Sequence, residues 1–247
     1  MEVVYSGRTK KNHRLFISWG RSGQKDILAP DRKKPVFPFS ETGRILAYLL
    51  WTGKITYEEY LQISNDYQER NKYLELFELS PRTFGETWGE QHIRTLFPQF
   101  LKETKERNPE FDGEYDLILD DMHIEVKACR ANSTKTKGNL AGRAYSHMQA
   151  RKSGFKYHFQ QLKPSCCDVF IWIGVCKDQL LYWVLTSEEL LQTGKLKPQH
   201  RNENTGVKGA GVYEGQVFMK EEELQSFRVQ EEDILQTVHN KKFDGYR

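Results

Sequence analysis

The chain has 247 residues, of which 38% are hydrophobic and 13% aromatic, and a net charge of +3. That apolar content excludes a disordered polymer and suffices for one main α/β core with a helical elaboration. No run approaches the roughly 18 apolar residues of a membrane helix, and the start MEVVYSGRTKKNHR lacks the apolar core of a signal peptide. We therefore expect a cytoplasmic protein with no membrane segment.

Up to about Pro38 the chain is rich in Gly, Pro and basic residues with little periodicity, and reads as an arm. Over residues 40–79 the spacing becomes helical. Ile45, Leu46, Leu49 and Leu50 lead to a break at Thr52-Gly53, and Tyr60, Leu61, Ile63 and Tyr67 follow it. Two or three helices are expected there, serving either as a packing subdomain or as a surface for DNA or a second copy. We set the domain boundary after residue 79, with the core in residues 80–247.

Ser80-Pro81 opens a further helix, carrying Phe84, Trp88, Ile93, Leu96 and Phe97 at helical spacing. A strand pair follows around GEYDLILDDMHIEVKA, then a polar stretch, then an expected helix over residues 144–162. The apolar runs CDVFIWIGVC and LLYWVL, separated by Lys177-Asp178, read as a second hairpin. A short helix at 187–191, a glycine-rich loop and a late strand at 213–219 complete the order. Helix, hairpin, helix and strands in that order predict an α/β fold with a mixed central sheet flanked by helices.

Charge is distributed unevenly. Residues 126–167 hold no Asp or Glu, while Lys127, Arg130, Lys135, Lys137, Arg143, Arg151, Lys152, Lys156 and Lys163 are all basic. Acidic stretches at 57–78 and 221–233 conceal this in the total, but a polyanion feels the local field. Within the basic segment, Arg130, Asn132, Lys135, Lys137 and Arg143 are the candidate DNA contacts, since these residue types bond to phosphates and base edges. Tyr145, His147, Phe155, Tyr157 and Phe159 are read as helix-core aromatics. Cys129, Cys166, Cys167 and Cys176 show neither CxxC spacing nor a nearby His pair for zinc, so buried thiols are expected. His123 and His200 lack ligand-spaced partners and are read as structural or surface residues.

The first hairpin carries the sharpest signal. If Asp120-Asp121 form a two-residue turn, Leu119 faces Met122 and Asp116 faces Glu125. Side chains alternate along a strand, so Leu117, Leu119, Ile124 and Val126 share one face, and Asp116, Glu125 and Lys127 share the other. Opposed carboxylates with Cβ atoms about 4.5 to 5.5 Å apart repel one another. A small hard cation turns that repulsion into binding, and Mg2+ suits oxygen ligands and retained water. Lys127 would stand beside the attacked phosphate, to orient the water, lower its pKa or stabilise the pentacovalent charge.

These residues resemble the active-site hairpin of the PD-(D/E)XK nuclease superfamily, with Asp116 as its first acid and Glu125-Val126-Lys127 as its (D/E)-X-K. Tyr115 replaces the motif's proline. The close match covers about twenty residues, and the later apolar runs look like core strands of type II restriction endonucleases. The resemblance implies a restriction-endonuclease-like fold and a homodimeric Mg2+-dependent enzyme cutting double-stranded DNA at specific sites. It also implies a further acid on the preceding helix, for which Gly85-Glu86 fits and Glu90 is the second candidate. A repair or junction-resolving nuclease of the same superfamily is one alternative. A non-catalytic DNA-binding module is the other, favoured if Asp116 or Glu125 lies buried against an internal arginine rather than on an open, metal-accessible face.

Overall fold

In a computed structural model the described residues are 41–111, 113–199 and 214–244. The expected arm before Pro38, the glycine-rich loop and His200 lie outside them. The chain divides into two compact units, Met1–Gln68 and Glu69–Arg247, whereas hydrophobic periodicity places the boundary at 79/80. The first unit contains α1 (Glu41–Trp51) and most of α2 (Tyr57–Arg70). Thr56 and Glu59 start α2 with reciprocal bonds, Thr56 Oγ1 accepting from Glu59 N–H and Glu59 Oε2 from Thr56 N–H.

The second unit begins with a 3-10 turn at Leu74–Phe77, whose Leu76 and Phe77 are buried. A π-helix at Thr83–Trp88 runs into α3 (Gly89–Leu96). The strands are β1 (Leu101–Lys102), β2 (Leu117–Leu119), β3 (Met122–Arg130), β4 (Lys156–Leu162), β5 (Val169–Val175), β6 (Leu180–Thr186), β7 (Lys197–Pro198), β8 (Gly215–Lys220) and β9 (Arg228–Val229). Between and after them lie α4 (His147–Ser153), α5 (Ser187–Gln192) and α6 (Ile234–Asp244).

Six strands form a central sheet in the order β1-β2-β3-β5-β6-β9, and β4, β8 and β7 form a second, three-stranded sheet. The central sheet is mixed: β3 and β5 run parallel, and the other neighbours antiparallel. Both turns expected from the sequence are present. Asp120 and Asp121 each take positive φ (48° and 67°), as a type I′ turn between right-twisted strands demands. Cys176 N–H donates to Gln179 O across Lys177-Asp178.

Strand alternation sorts the core into two halves. Leu117, Ile124, Val126, Ile171 and Val184 face α3, α6 and the Leu74–Phe77 turn through Ile93, Ile234, Val238 and Phe77. Phe170, Trp172, Leu181 and Trp183 face the other way, onto Tyr157, Phe159, Val217 and Met219 of the small sheet. The layers are therefore helices, mixed sheet and small sheet.

The expected helix over 144–162 needs correction. Only α4 is helical; Ser146 and Gln149 open it with a capping box, and Gly154 closes it in the left-handed conformation at φ 63°. Beyond Gly154, burial alternates at period two, with Tyr157 and Phe159 inside and Lys156 and Gln160 outside. Pairing with β8 then settles a short aromatic run whose periodicity alone is ambiguous. Among the described residues no helix is long and apolar enough to cross a membrane.

Candidate active site

The site grows from the β2–β3 hairpin. Leu117 pairs with Ile124, Ile118 with His123 and Leu119 with Met122, the register that the sequence predicts. At Asp116 the ladder ends. Its N–H donates to Ile124 O at 3.0 Å, and its own Oδ2 accepts the Val126 N–H at 2.8 Å. The side chain thus stands in for a strand acceptor, and Asp116 flanks Glu125 where β2 leaves β3 instead of forming a ladder pair with it.

Glu125 is 3% exposed, and its Oε1 is ion-paired with Lys127 Nζ. Burial pushes the Glu125 carboxyl up to about 7; Lys127 opposes the shift and Asp116 adds to it. Burial works against the Lys127 ammonium as well, but the Glu125 and Asp116 carboxylates outweigh it and hold its pKa above the ordinary lysine value. The neighbouring carboxylates thus favour the ammonium form of Lys127. Glu125 is buried rather than on an open face, and the partner that answers it is this lysine rather than an arginine.

Glu90, on the first turn of α3, reaches the same neighbourhood. Gly89 packs on β3, its Cβ position 3.6 Å from Val126 Cγ1 and 3.7 Å from Ala128 Cβ. Glu90 is buried and accepts from Lys102 Nζ at 2.6 Å. Burial raises its pKa first, Lys102 counters, and Asp116 raises it further. Glu86 lies in the π-helix one turn earlier, and its side chain is outside the described residues.

Two lysines that the motif does not include complete the surroundings. Lys102 pairs with Glu90. Lys163, just beyond β4, donates to Gly113 O at 3.2 Å and favours the ionised form of Glu125. Nothing about Lys102 marks it in the sequence, whereas Lys163 closes the acid-free segment and carries that signal. Cys167 also adjoins Glu125 and Lys127, and burial pushes its thiol well above the usual range.

The candidate DNA contacts divide. Arg130 emerges on the opposite face of β3, where its guanidinium covers the Phe84 ring at 4.3 Å. Its Nη1 donates to Leu76 O and Leu79 O at 3.0 and 2.8 Å. Asn132 bridges to Ala144, and Arg143 Nη1 donates to Ser133 O at 3.3 Å. Ser133 is buried, and its Oγ accepts the N–H groups of Lys135 and Thr136. That turn leaves Lys135 and Lys137 exposed.

Comparison with models of known protein families and with curated proteins finds no match to this chain. The chemistry must be read from the side chains. Among the described residues no three His, Cys, Asp or Glu side chains gather as a ready-made metal cluster. A two-carboxylate set still suits Mg2+, which commonly takes one or two carboxylates with water and phosphate oxygens. The buried Glu125, with a proton affinity raised by desolvation and by Asp116, is a donor whose charge a cation would compensate.

Proposed function

We propose that this protein is a Mg2+-dependent endonuclease of the PD-(D/E)XK superfamily with a restriction-endonuclease-like fold. It cuts double-stranded DNA at specific sites, in the manner of type II restriction enzymes. The observation that carries the reading is the buried Glu125, paired with Lys127 and flanked by Asp116 at the point where the hairpin opens. Structural economy does not favour this arrangement. A buried charge pair seldom repays its desolvation, and a second carboxylate beside it adds repulsion.

Asp116 and Glu125 are the residues that would hold Mg2+, which when bound supplies Lewis-acid polarisation of a phosphodiester. Lys127, in its ammonium form, donates to a non-bridging phosphate oxygen and stabilises charge that grows as water adds to phosphorus. Glu125 aims the ammonium. Lys135 and Lys137 contact phosphates, and a two-fold homodimer in the cytoplasm matches a palindromic site.

Incubation with unmethylated plasmid and Mg2+ tests the reading. Discrete fragments are expected, with cleavage stopped by EDTA and with Ca2+ supporting binding but not turnover. A smear would point to a nonspecific nuclease. DNA bound but uncut would favour the binding module.

A further inference from the structure

One side of the small sheet belongs to the core; the other carries a pattern that packing does not explain. Lys156 of β4 stands directly opposite Lys220 of β8, and His158 opposite Phe218. Directly opposed like charges destabilise an antiparallel pair. Three glutamates, Glu221, Glu222 and Glu223, follow Lys220; Glu221 is engaged by His147 at 2.9 Å, and Glu223, in the field of Lys156, is paired with Lys195 at 2.9 Å. Next along the same face, the His158 and Phe218 rings stack at 3.8 Å, and Phe218 is 44% exposed. His158 Nε2 lies 2.9 Å from Gln216 Oε1, and Gln216 is paired with exposed Lys197. The face is basic, aromatic and amide-bearing, unlike the apolar groove that a protein partner would fill.

This face also leads toward the candidate site. Between Phe159 and Leu162 the pairing with β8 slips, and Gln161 takes the left-handed conformation at φ 55°. A bulge of this kind re-aims side chains, and it leaves both Gln160 and Gln161 exposed. Two residues later Lys163 reaches Gly113 and the field of Glu125. Outward positions of β4 therefore run from the opposed lysines to the edge of the catalytic hairpin.

We propose that the outer face of the small sheet is a duplex-DNA-binding surface. Lys156, Lys220 and Lys197 take phosphates, while Gln160 and the His158/Phe218 pair face the groove. The proposal rests on the nuclease reading for its choice of duplex DNA, and charge complementarity supplies the physical argument.

The test is fluorescence anisotropy of the full chain with a labelled 25-mer duplex across a salt series in Ca2+, run beside plasmid cleavage in Mg2+. The Lys156→Ala/Lys220→Ala double variant is expected to bind roughly tenfold more weakly, with a salt slope reduced by about two. Its melting temperature should be unchanged or raised, because a like-charge pair has been removed. Phe218→Ala should weaken binding with no change in slope. Unaltered affinity and slope in the double variant would overturn the proposal, even if the wild type cleaves DNA and the nuclease reading stands. Conversely, a wild type that binds through these lysines without cutting would sustain this surface and remove the nuclease. Stronger binding to a single strand than to the duplex would also overturn the choice of duplex.

Discussion

Strands β3 and β5 lie side by side in the same sheet, run parallel and present residues to the same two layers. On the helix-facing side both are apolar. On the other side β5 presents Phe170 and Trp172, and its immediate neighbours on β3 are Glu125 and Lys127. One strand builds core where the adjacent strand, at the same level of the sheet, holds a buried carboxylate paired with a half-buried lysine. Packing would place apolar residues at all four positions, since replacing a buried pair by well-packed apolar groups is often neutral or stabilising. Under the proposed nuclease reading, the contrast marks the part of the sheet given over to chemistry.

Breaking the β3 side should cost activity far beyond any loss of stability. Asp116→Ala or Lys127→Ala is expected to lower the cleavage rate by more than about a thousandfold, roughly 4 kcal/mol of transition-state stabilisation. Both changes also lower stability, since Asp116 accepts the Val126 N–H and Lys127 answers the buried Glu125, so the rate is compared on the folded fraction. Plasmid nicking assays with circular dichroism as a folding control measure both. Retention of activity within tenfold in Asp116→Ala would remove Asp116 from the site.

Breaking the β5 side should do the reverse. Gly174 continues that strand where Trp183 and Tyr157 close over it, and an added Cβ would lie 2.7 Å from ring atoms of each. Gly174→Ala therefore forces buried rings to move, at a cost of about 1–3 kcal/mol. Chemical denaturation is expected to show that loss, while the folded fraction keeps its cleavage rate. An unchanged denaturation midpoint would mean that the ring packing yields freely.

Titration sharpens the comparison, because the β3 side places an acid where β5 places aromatic rings. With its pKa raised to about 7 in the folded protein, Glu125 favours folding most when protonated. That contribution is complete below the unfolded value and is lost as pH rises through about 7. The metal-free protein should thus lose melting temperature between about pH 5 and 8 relative to Glu125→Gln. Mg2+ at pH 8 should restore it. Cleavage should follow the opposite course, rising as Glu125 deprotonates, with a midpoint that falls as Mg2+ increases. A midpoint independent of Mg2+ would separate Glu125 from the metal.

The β3 side is more legible in the sequence than its surroundings. The turn Asp120-Asp121, the hairpin register and the division of faces follow from period-two alternation and turn chemistry, which are local. The departure at Asp116 does not, because it depends on where β2 separates from β3. β4 reads as helix because Phe155, Phe159 and Leu162 fall at i, i+4 and i+7, a helical spacing that competes with the strand spacing of Tyr157 and Phe159. Only Gly154 and the partner strand β8, some 60 residues away, decide between them. Lys102 beside Glu90 is likewise a product of tertiary approach. Arg130, placed by composition among the DNA contacts, is instead occupied by Phe84 and the carbonyls of residues 76 and 79.

That last point yields the smallest and most discriminating expectation, since it separates basic residues that a charge count treats alike. Arg130→Ala removes two hydrogen bonds to backbone carbonyls and the stacking on Phe84, and should lower stability by about 1–2 kcal/mol. Because its guanidinium is engaged inside the protein, the salt dependence of DNA binding should not change. Lys135 and Lys137 stand exposed on a turn organised by Ser133, so each should behave oppositely. Lys135→Ala or Lys137→Ala is expected to leave the melting temperature unaltered and reduce the salt slope by about one for each phosphate no longer neutralised. Anisotropy titrations at several salt concentrations, paired with thermal melts of the same samples, measure both axes. A reduced slope in Arg130→Ala would return that residue to the DNA surface. An unchanged slope in both lysine variants would show that the turn after β3 holds no phosphate, leaving the outer face of the small sheet to carry the DNA alone.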